Sequence, residues 1–334
     1  MLIRMAMATV LTLLPPPPAP ADWEVIRLHD YGGCDSMLTL VPLSRSDVWA
    51  FGQTDPIDDE CAGGGVHPVA QHWDGRAWKT ARLPGPIYGT ATSGGASAPG
   101  DVWAFTSSDT GEAHALRFDG SRWRDTTAPG MRGFDQGLVL GRHHVWTFGS
   151  GTWFWNGHRW RRATAPFVPT QLSAASQTDV WAVDAERVMR FNGTTWRRVR
   201  PGSAVPKATS LTGVLAISAK DVWIFGEPAV AAHFDGSAWT SVPVPLPYRG
   251  WTLGQAVADG AGGIRLLAHP ENGTSVVLSR SASGQWTTSA PRVAGNKVDL
   301  WGLARIPGTK EIWAVGSVWR TEDDHTSAVF RLKG

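Results

Sequence analysis

The stretch Asp47-Val48-Trp49-Ala50-Phe51-Gly52, followed after a polar interval by Trp73-Asp74-Gly75-Arg76-Ala77-Trp78, decides how this chain folds. The first phrase is short, β-branched and aromatic, and turn residues bound it, which is the composition of a buried strand. The second places Asp-Gly between two aromatic runs. That is the strongest short-range hairpin signal, because both residues accept the positive φ that a type I′ turn needs.

Both phrases recur. The first returns as Asp101-Val102-Trp103, His144-Val145-Trp146, Asp179-Val180-Trp181 and Asp221-Val222-Trp223, weakens to Gly263-Ile264-Arg265, and recovers as Glu311-Ile312-Trp313. The second returns as Phe118-Asp119-Gly120…Trp123, Trp155-Asn156-Gly157…Trp160, Phe191-Asn192-Gly193…Trp196 and Phe234-Asp235-Gly236…Trp239, with a weaker Gly284-Gln285-Trp286. A period of roughly 40 to 50 residues is that of propeller blades. Each unit reads as an inner strand (such as Leu38–Ser44), the Val-Trp strand, a third strand, and an outer strand after the Asp-Gly turn. The predicted fold is all-β: a seven-bladed β-propeller of four-stranded antiparallel blades.

The two chain ends support that count. The seventh unit stops at Lys333-Gly334, where the others turn into an outer strand, while Trp23-Glu24-Val25-Ile26-Arg27-Leu28 reads as an orphan outer strand. The N-terminal strand is therefore expected to complete the last blade and leave no free edge at the seam.

The units resemble the D-V-W-A-V-G…D-G-x-x-W repeats of secreted bacterial propellers, notably those of high-GC actinobacteria, from Trp23 to the C-terminus. They are more distantly similar to Asp-box and kelch-type propellers. The resemblance implies the fold and an extracellular setting. Asp74 directly precedes Gly75 with no matching Ser, so the Asp-box pattern is not reproduced and no catalytic residue is carried over.

Arg4, the apolar run Met5–Leu14 and Ala19-Pro20-Ala21 read as a signal peptide over residues 1–21, with a single propeller domain over 22–334. The apolar run is too short to span a bilayer, so no membrane insertion is expected and the predicted location is extracellular. Cys34 and Cys61 fall in two loops of blade one that open on the same face, and a disulfide between them suits that compartment. Net charge of +2 gives no bulk argument for nucleic acid. A monomer is expected.

Function in a propeller is sought on the face formed by loops entering inner strands and loops between second and third strands. The chain has three tyrosines, Tyr31, Tyr88 and Tyr248, and all lie in loops entering inner strands, as do Phe134, Phe167 and Trp251. Such a collar suits stacking on sugar rings or gripping extended peptide; the plainer reading is loop rings covering the core. Long loops in blades one, two and seven carry Asp55, Asp58, Asp59 and Glu60, then Asp109 and Glu112, then Glu322, Asp323 and Asp324. No cofactor is expected. If a metal binds, oxygen-seeking Ca²⁺ suits Asp58, Asp59, Asp323 and Asp324, but the D-x-D-x-D-G spacing is missing and solvated acidic loops are the plainer reading. Arginines on the outer strands, Arg122 to Arg200, read as edge protection.

No G-x-S-x-G, H-E-x-x-H or phosphate-binding glycine loop occurs. The sequence thus points to a non-enzymatic module that binds a glycan or a protein. The alternatives are a polysaccharide hydrolase or lyase, with carboxylates such as Asp30 and Asp135 about 5 to 10 Å apart across the funnel, and a structural scaffold.

Overall fold

The computed structural model describes residues 23–29, 35–54, 66–321 and 324–333, the side chain of Asp135 excepted. The leader, Asp30, Tyr31, Cys34, Asp55, Asp58, Asp59, Glu60, Cys61, Glu322 and Asp323 lie outside the described residues.

The described residues form seven four-stranded antiparallel sheets. After β1 (Trp23–His29), blade one holds β2 (Ser36–Ser44), β3 (Asp47–Thr54), β4 (His67–Trp73) and β5 (Trp78–Ala81). Blade two holds β6 (Thr90–Ala98), β7 (Asp101–Ser107), β8 (Ala113–Phe118) and β9 (Trp123–Asp125). Blade three holds β10 (Phe134–Gly141), β11 (His144–Gly149), β12 (Thr152–Trp155) and β13 (Trp160–Ala163). Blade four holds β14 (Gln171–Ser176), β15 (Asp179–Val183), β16 (Val188–Phe191) and β17 (Trp196–Val199). Blade five holds β18 (Ser210–Ser218), β19 (Asp221–Glu227), β20 (Val230–Phe234) and β21 (Trp239–Val242). Blade six holds β22 (Trp251–Ala258), β23 (Ile264–Pro270), β24 (Val276–Arg280) and β25 (Trp286–Ser289). Blade seven holds β26 (Lys297–Arg305), β27 (Ile312–Trp319) and β28 (His325–Leu332), and β1 pairs with β28 as its outer strand. The seven inner strands touch in sequence, and β26 touches β2, so the ring is closed.

The Val-Trp phrase is explained by the period of two along a strand, which sends neighbouring side chains to opposite faces. Val102 packs in the core shared by blades one and two, and Trp103 in the core shared by blades two and three. Val145 and Trp146, Val180 and Trp181, and Val222 and Trp223 repeat the division. One dipeptide therefore glues a blade to both neighbours. The outer-strand tryptophan reaches back to the Trp of the preceding blade: Trp123 meets Trp49 at 5.3 Å, Trp160 meets Trp103 at 5.7 Å and Trp196 meets Trp146 at 5.7 Å, all edge-on.

The aspartate that opens the phrase has its own task. It pairs with a basic residue on the third strand: Asp47 with His72, Asp101 with Arg117, Asp179 with Arg190 and Asp221 with His233. The same side chain lies on the repeat Trp, His72 stacked on Trp49 at 4.3 Å and the Arg190 guanidinium over Trp181 at 4.9 Å. Blade three differs at both positions at once: His144 stands for the aspartate, Phe154 for the basic residue, and the rings meet at 4.9 Å.

The Asp-Gly connection differs from the two-residue turn expected. Trp73 pairs with Trp78, so four residues make the turn, and of the pair only Gly75 has positive φ (88°). The Asp74 carboxylate instead accepts the N–H groups of Arg76 and Ala77, an Asx-type closure that needs one left-handed residue.

Inner strands each leave one edge facing the axis, and its backbone groups need partners. Side chains of the preceding inner strand supply some of them. Ser93 Oγ accepts the N–H of Gly137 at 2.9 Å, Ser173 Oγ that of Ala216 at 2.9 Å, and Gln255 Oε1 that of Leu303 at 2.8 Å.

Candidate ligand-binding site on the inner strand of blade seven

Of nineteen tryptophans, Trp301 alone is exposed, at 42%. It sits on inner strand β26, where the pairing with β27 slips between Leu300 and Gly302. A bulge re-aims the residue it contains, and here it turns an indole out of the blade core. No other inner strand exposes a large apolar side chain among the described residues.

Lys297 and Asp299 precede Trp301 at two-residue spacing on the same strand, and their cross-strand partners are Trp319 and Ser317. Lys297 Nζ lies 2.9 Å from Asp299 Oδ2 and 5.6 Å from the Trp319 ring centre. Trp301 Nε1 donates to Ser317 Oγ at 3.4 Å; Ser317 Oγ meets Ser36 Oγ at 3.2 Å, and Ser36 Oγ meets His325 Nε2 at 3.2 Å. A hydrogen-bonded chain thus runs from the exposed indole to an imidazole that packs on Trp319 at 4.3 Å. On the blade-six side, the His269 ring lies 6.4 Å from Trp301 and nearly parallel to it, and His269 Nδ1 meets Ser275 Oγ at 3.1 Å. Ser275 is fully buried and also accepts the N–H of Leu300, which pins the blade-six loop to β26.

Burial pushes both imidazoles below their ordinary value; the Asp299 carboxylate pulls His269 the other way, and Asp324 and then Asp299 pull His325 the other way. Burial therefore favours the neutral form of both rings. His325 Nδ1 is buried and has no partner among the described residues. Beside this group a cleft of about 570 Å³ is lined by Asn272, Asn296, Lys297, Trp319, Arg320 and Thr321.

The expected collar divides. Tyr88 and Tyr248 are exposed at 50% and 48%, Tyr88 leaning on His67 at 5.0 Å. Tyr88 also lines a second cleft of about 550 Å³ with Asp109 and Glu112, between blades one and two. Trp251 is half-buried against the core of blades five and six. Phe134 and Phe167 lie inside inter-blade cores, Phe134 edge-on to Phe105 at 6.0 Å and Phe167 under the Arg187 guanidinium at 4.6 Å. Phe134 opens β10 and Phe167 lies in the loop before β14, where each apolar ring closes a core. Asp324, the described member of the candidate metal set, is ion-paired with Arg320 at 2.6 Å. Among the described residues no group of three His, Cys, Asp or Glu converges as a metal site.

Trp301 escapes a reading by repeats because it belongs to neither repeat phrase. Its signal is its register position: a tryptophan at the bulge of an inner strand, where blades one, two and five carry Leu38, Thr92 and Thr212.

No family profile matches the chain, and no curated protein matches it in sequence. Solved structures match in fold. A structure described as YCF48 bound to D1 peptide superposes with a TM-score of 0.68 at 14% identity, covering 94% of this chain and 97% of that one. A catalytically inactive histidine-to-alanine variant of virginiamycin B lyase from Staphylococcus aureus, with quinupristin, gives 0.65 at 11% identity, covering 92% and 98%. The WD40 β-propeller domain of Doa1 gives 0.61 at 8% identity, covering 92% and 97%. The chain has the architecture of a seven-bladed β-propeller with WD40-like neighbours.

Proposed function

We propose that this propeller is an extracellular, non-enzymatic binding module that holds a glycan or an extended polypeptide on its loop face, anchored at Trp301. The observation that carries the reading is the exposed indole on the strand lining the axis, in a protein whose other tryptophans are all packed. An aromatic face flanked by the Lys297–Asp299 pair and the amides of Asn272 and Asn296 suits a sugar ring or a planar peptide group bearing polar substituents. The fold neighbour described with a bound peptide supports the use of this architecture for such ligands. A screen of glycans and peptides by calorimetry, repeated with Trp301→Ala, tests it. A ligand whose affinity falls at least about tenfold in the variant, with unchanged melting, supports the site. Full retention of every affinity refutes it.

A second reading, a lyase acting in the funnel, is favoured by one observation: two imidazoles, His269 beside Trp301 and His325 on Trp319, whose neutral form burial favours. A neutral imidazole is a competent general base near pH 7. Ligand turnover lost in His269→Ala or His325→Ala, with binding retained, would establish it; bound ligand recovered intact would exclude it for that ligand.

A further inference from the structure

The turn residue and the outer-strand cation that follows it five positions later form a pair in blades one and two. Lys79 Nζ lies 2.7 Å from Asp74 and Arg124 Nε lies 2.7 Å from Asp119. Blades three and four keep the cations, Arg161 and Arg197, but their turn residues are Asn156 and Asn192. The asparagines still close the turn as aspartate does: Asn156 Oδ1 accepts from His158 and Arg159, and Asn192 Oδ1 from Thr194 and Thr195. The geometry is preserved and only the negative charge has gone. Arg159, Arg161, Arg162, Arg197, Arg198 and Arg200 are exposed, and none has a carboxylate partner among the described residues.

Edge protection does not explain this concentration. The outer strands of blades five and six, Trp239-Thr240-Ser241-Val242 and Trp286-Thr287-Thr288-Ser289, hold the same position in the ring without any charge. Residues 126–200 carry ten arginines against four carboxylates, so this part is six charges positive in a chain of net +2. Two of those carboxylates are already taken, Asp179 by Arg190 and Asp184 by Arg187. The strand period also brings like charges together. Trp196 faces blade three, so Arg198 leans the same way, while Trp160 faces blade two and Arg161 leans toward blade four. Arg161 and Arg198 thus enter one groove from its two sides.

We propose that the outer rim of blades three and four docks a linear phosphate-bearing polymer through its anionic backbone. Arginine forks grip phosphate bidentately. The outer tryptophans Trp160 and Trp196 are buried at 7% and 8%, so the rim offers no stacking platform for bases, and recognition is of the backbone charge alone. This rim is separate from the Trp301 site and does not depend on it.

Long-chain inorganic polyphosphate is the probe, titrated against the full chain at low and physiological salt. Three double variants have the same net charge: Asn156→Asp/Asn192→Asp, Arg161→Thr/Arg197→Thr, and the control Arg292→Thr/Lys310→Thr in the loops of blades six and seven. The expected result is binding that weakens steeply with salt, falls at least about tenfold in both rim variants, and is nearly unchanged in the control. Asn→Asp keeps the turn hydrogen bonds, so its loss of binding is not a loss of fold; melting curves check this. No binding by the native protein, equal losses in rim and control variants, or about tenfold tighter binding of a single-stranded oligonucleotide than of polyphosphate each overturns the proposal.

Discussion

Arg117 Nε donates to Asp101 Oδ1 at 2.6 Å, and its guanidinium lies over Trp103 at 5.3 Å from the ring centre. Asp101 is fully buried. The pair ties the second strand of blade two to the third and caps the aromatic core at once. Removing one partner strands a desolvated charge, so Asp101→Ala should lower unfolding free energy by about 3–5 kcal/mol. Blade three shows what the site tolerates instead, a His144–Phe154 ring pair. The double variant Asp101→His/Arg117→Phe should recover more than half of that loss in urea unfolding. Equal destabilisation of single and double variants would show that the exchange in blade three is not a compensated one.

Ring closure by β1 predicts a second outcome. Trp23 to His29 pair with Leu332 to Ser327, Glu24 binds Arg331, and Thr326 Oγ1 donates to the His29 carbonyl. A chain beginning at Ser36 leaves β28 as a bare edge. Such edges recruit other chains, so the truncated protein should melt earlier and form oligomers by light scattering. A monomeric truncation with unchanged melting would mean that the seam is held without β1.

The aromatic loop residues should separate by burial. Phe134→Ala opens a hole beside Phe105 and should cost about 3–5 kcal/mol. Tyr88→Ala and Tyr248→Ala, half-exposed, should each stay within about 0.5 kcal/mol of the native protein. A stability loss for either tyrosine as large as that of Phe134 would return it to the core.

Stability should depend on pH in two opposed ways. His269 and His325 are depressed by burial, so unfolded histidines bind protons that the folded ones exclude. Their contribution is complete above the ordinary value of 6.5 and is lost as pH falls below it. His114 is raised, chiefly by its hydrogen bond to Asp125. Its contribution is complete below 6.5 and is lost as pH rises through the folded value. Urea unfolding from pH 5 to 8 should therefore show a flatter acid limb for His325→Gln and a flatter alkaline limb for His114→Gln. The same slope change in both variants would contradict the assignment.

The propeller was legible because its repeat phrases encode local rules: a period of two, a turn glycine and a charge that must be paired. Even the seam was readable, since Trp23 begins the outer-strand pattern missing after Leu332. The site was less legible. Loop position alone does not separate Phe134, which plugs a core, from Tyr88, which faces solvent, because both precede or open an inner strand. Trp301 is set by a bulge, and a bulge is a matter of register between β26 and β27 that no local sequence signal fixes. The burial of His269 likewise arises from a blade-six loop docking on blade seven through Ser275.

The most direct test of the central claim is fluorine NMR of the protein labelled with 5-fluorotryptophan, with the Trp301 resonance assigned by its disappearance in Trp301→Phe. Titration with the glycans and peptides retained by the screen should move the Trp301 signal saturably, while the packed tryptophans of the repeat phrases stay in place. A ligand that binds with the Trp301 resonance unmoved would contradict the account and place the binding face elsewhere on the ring.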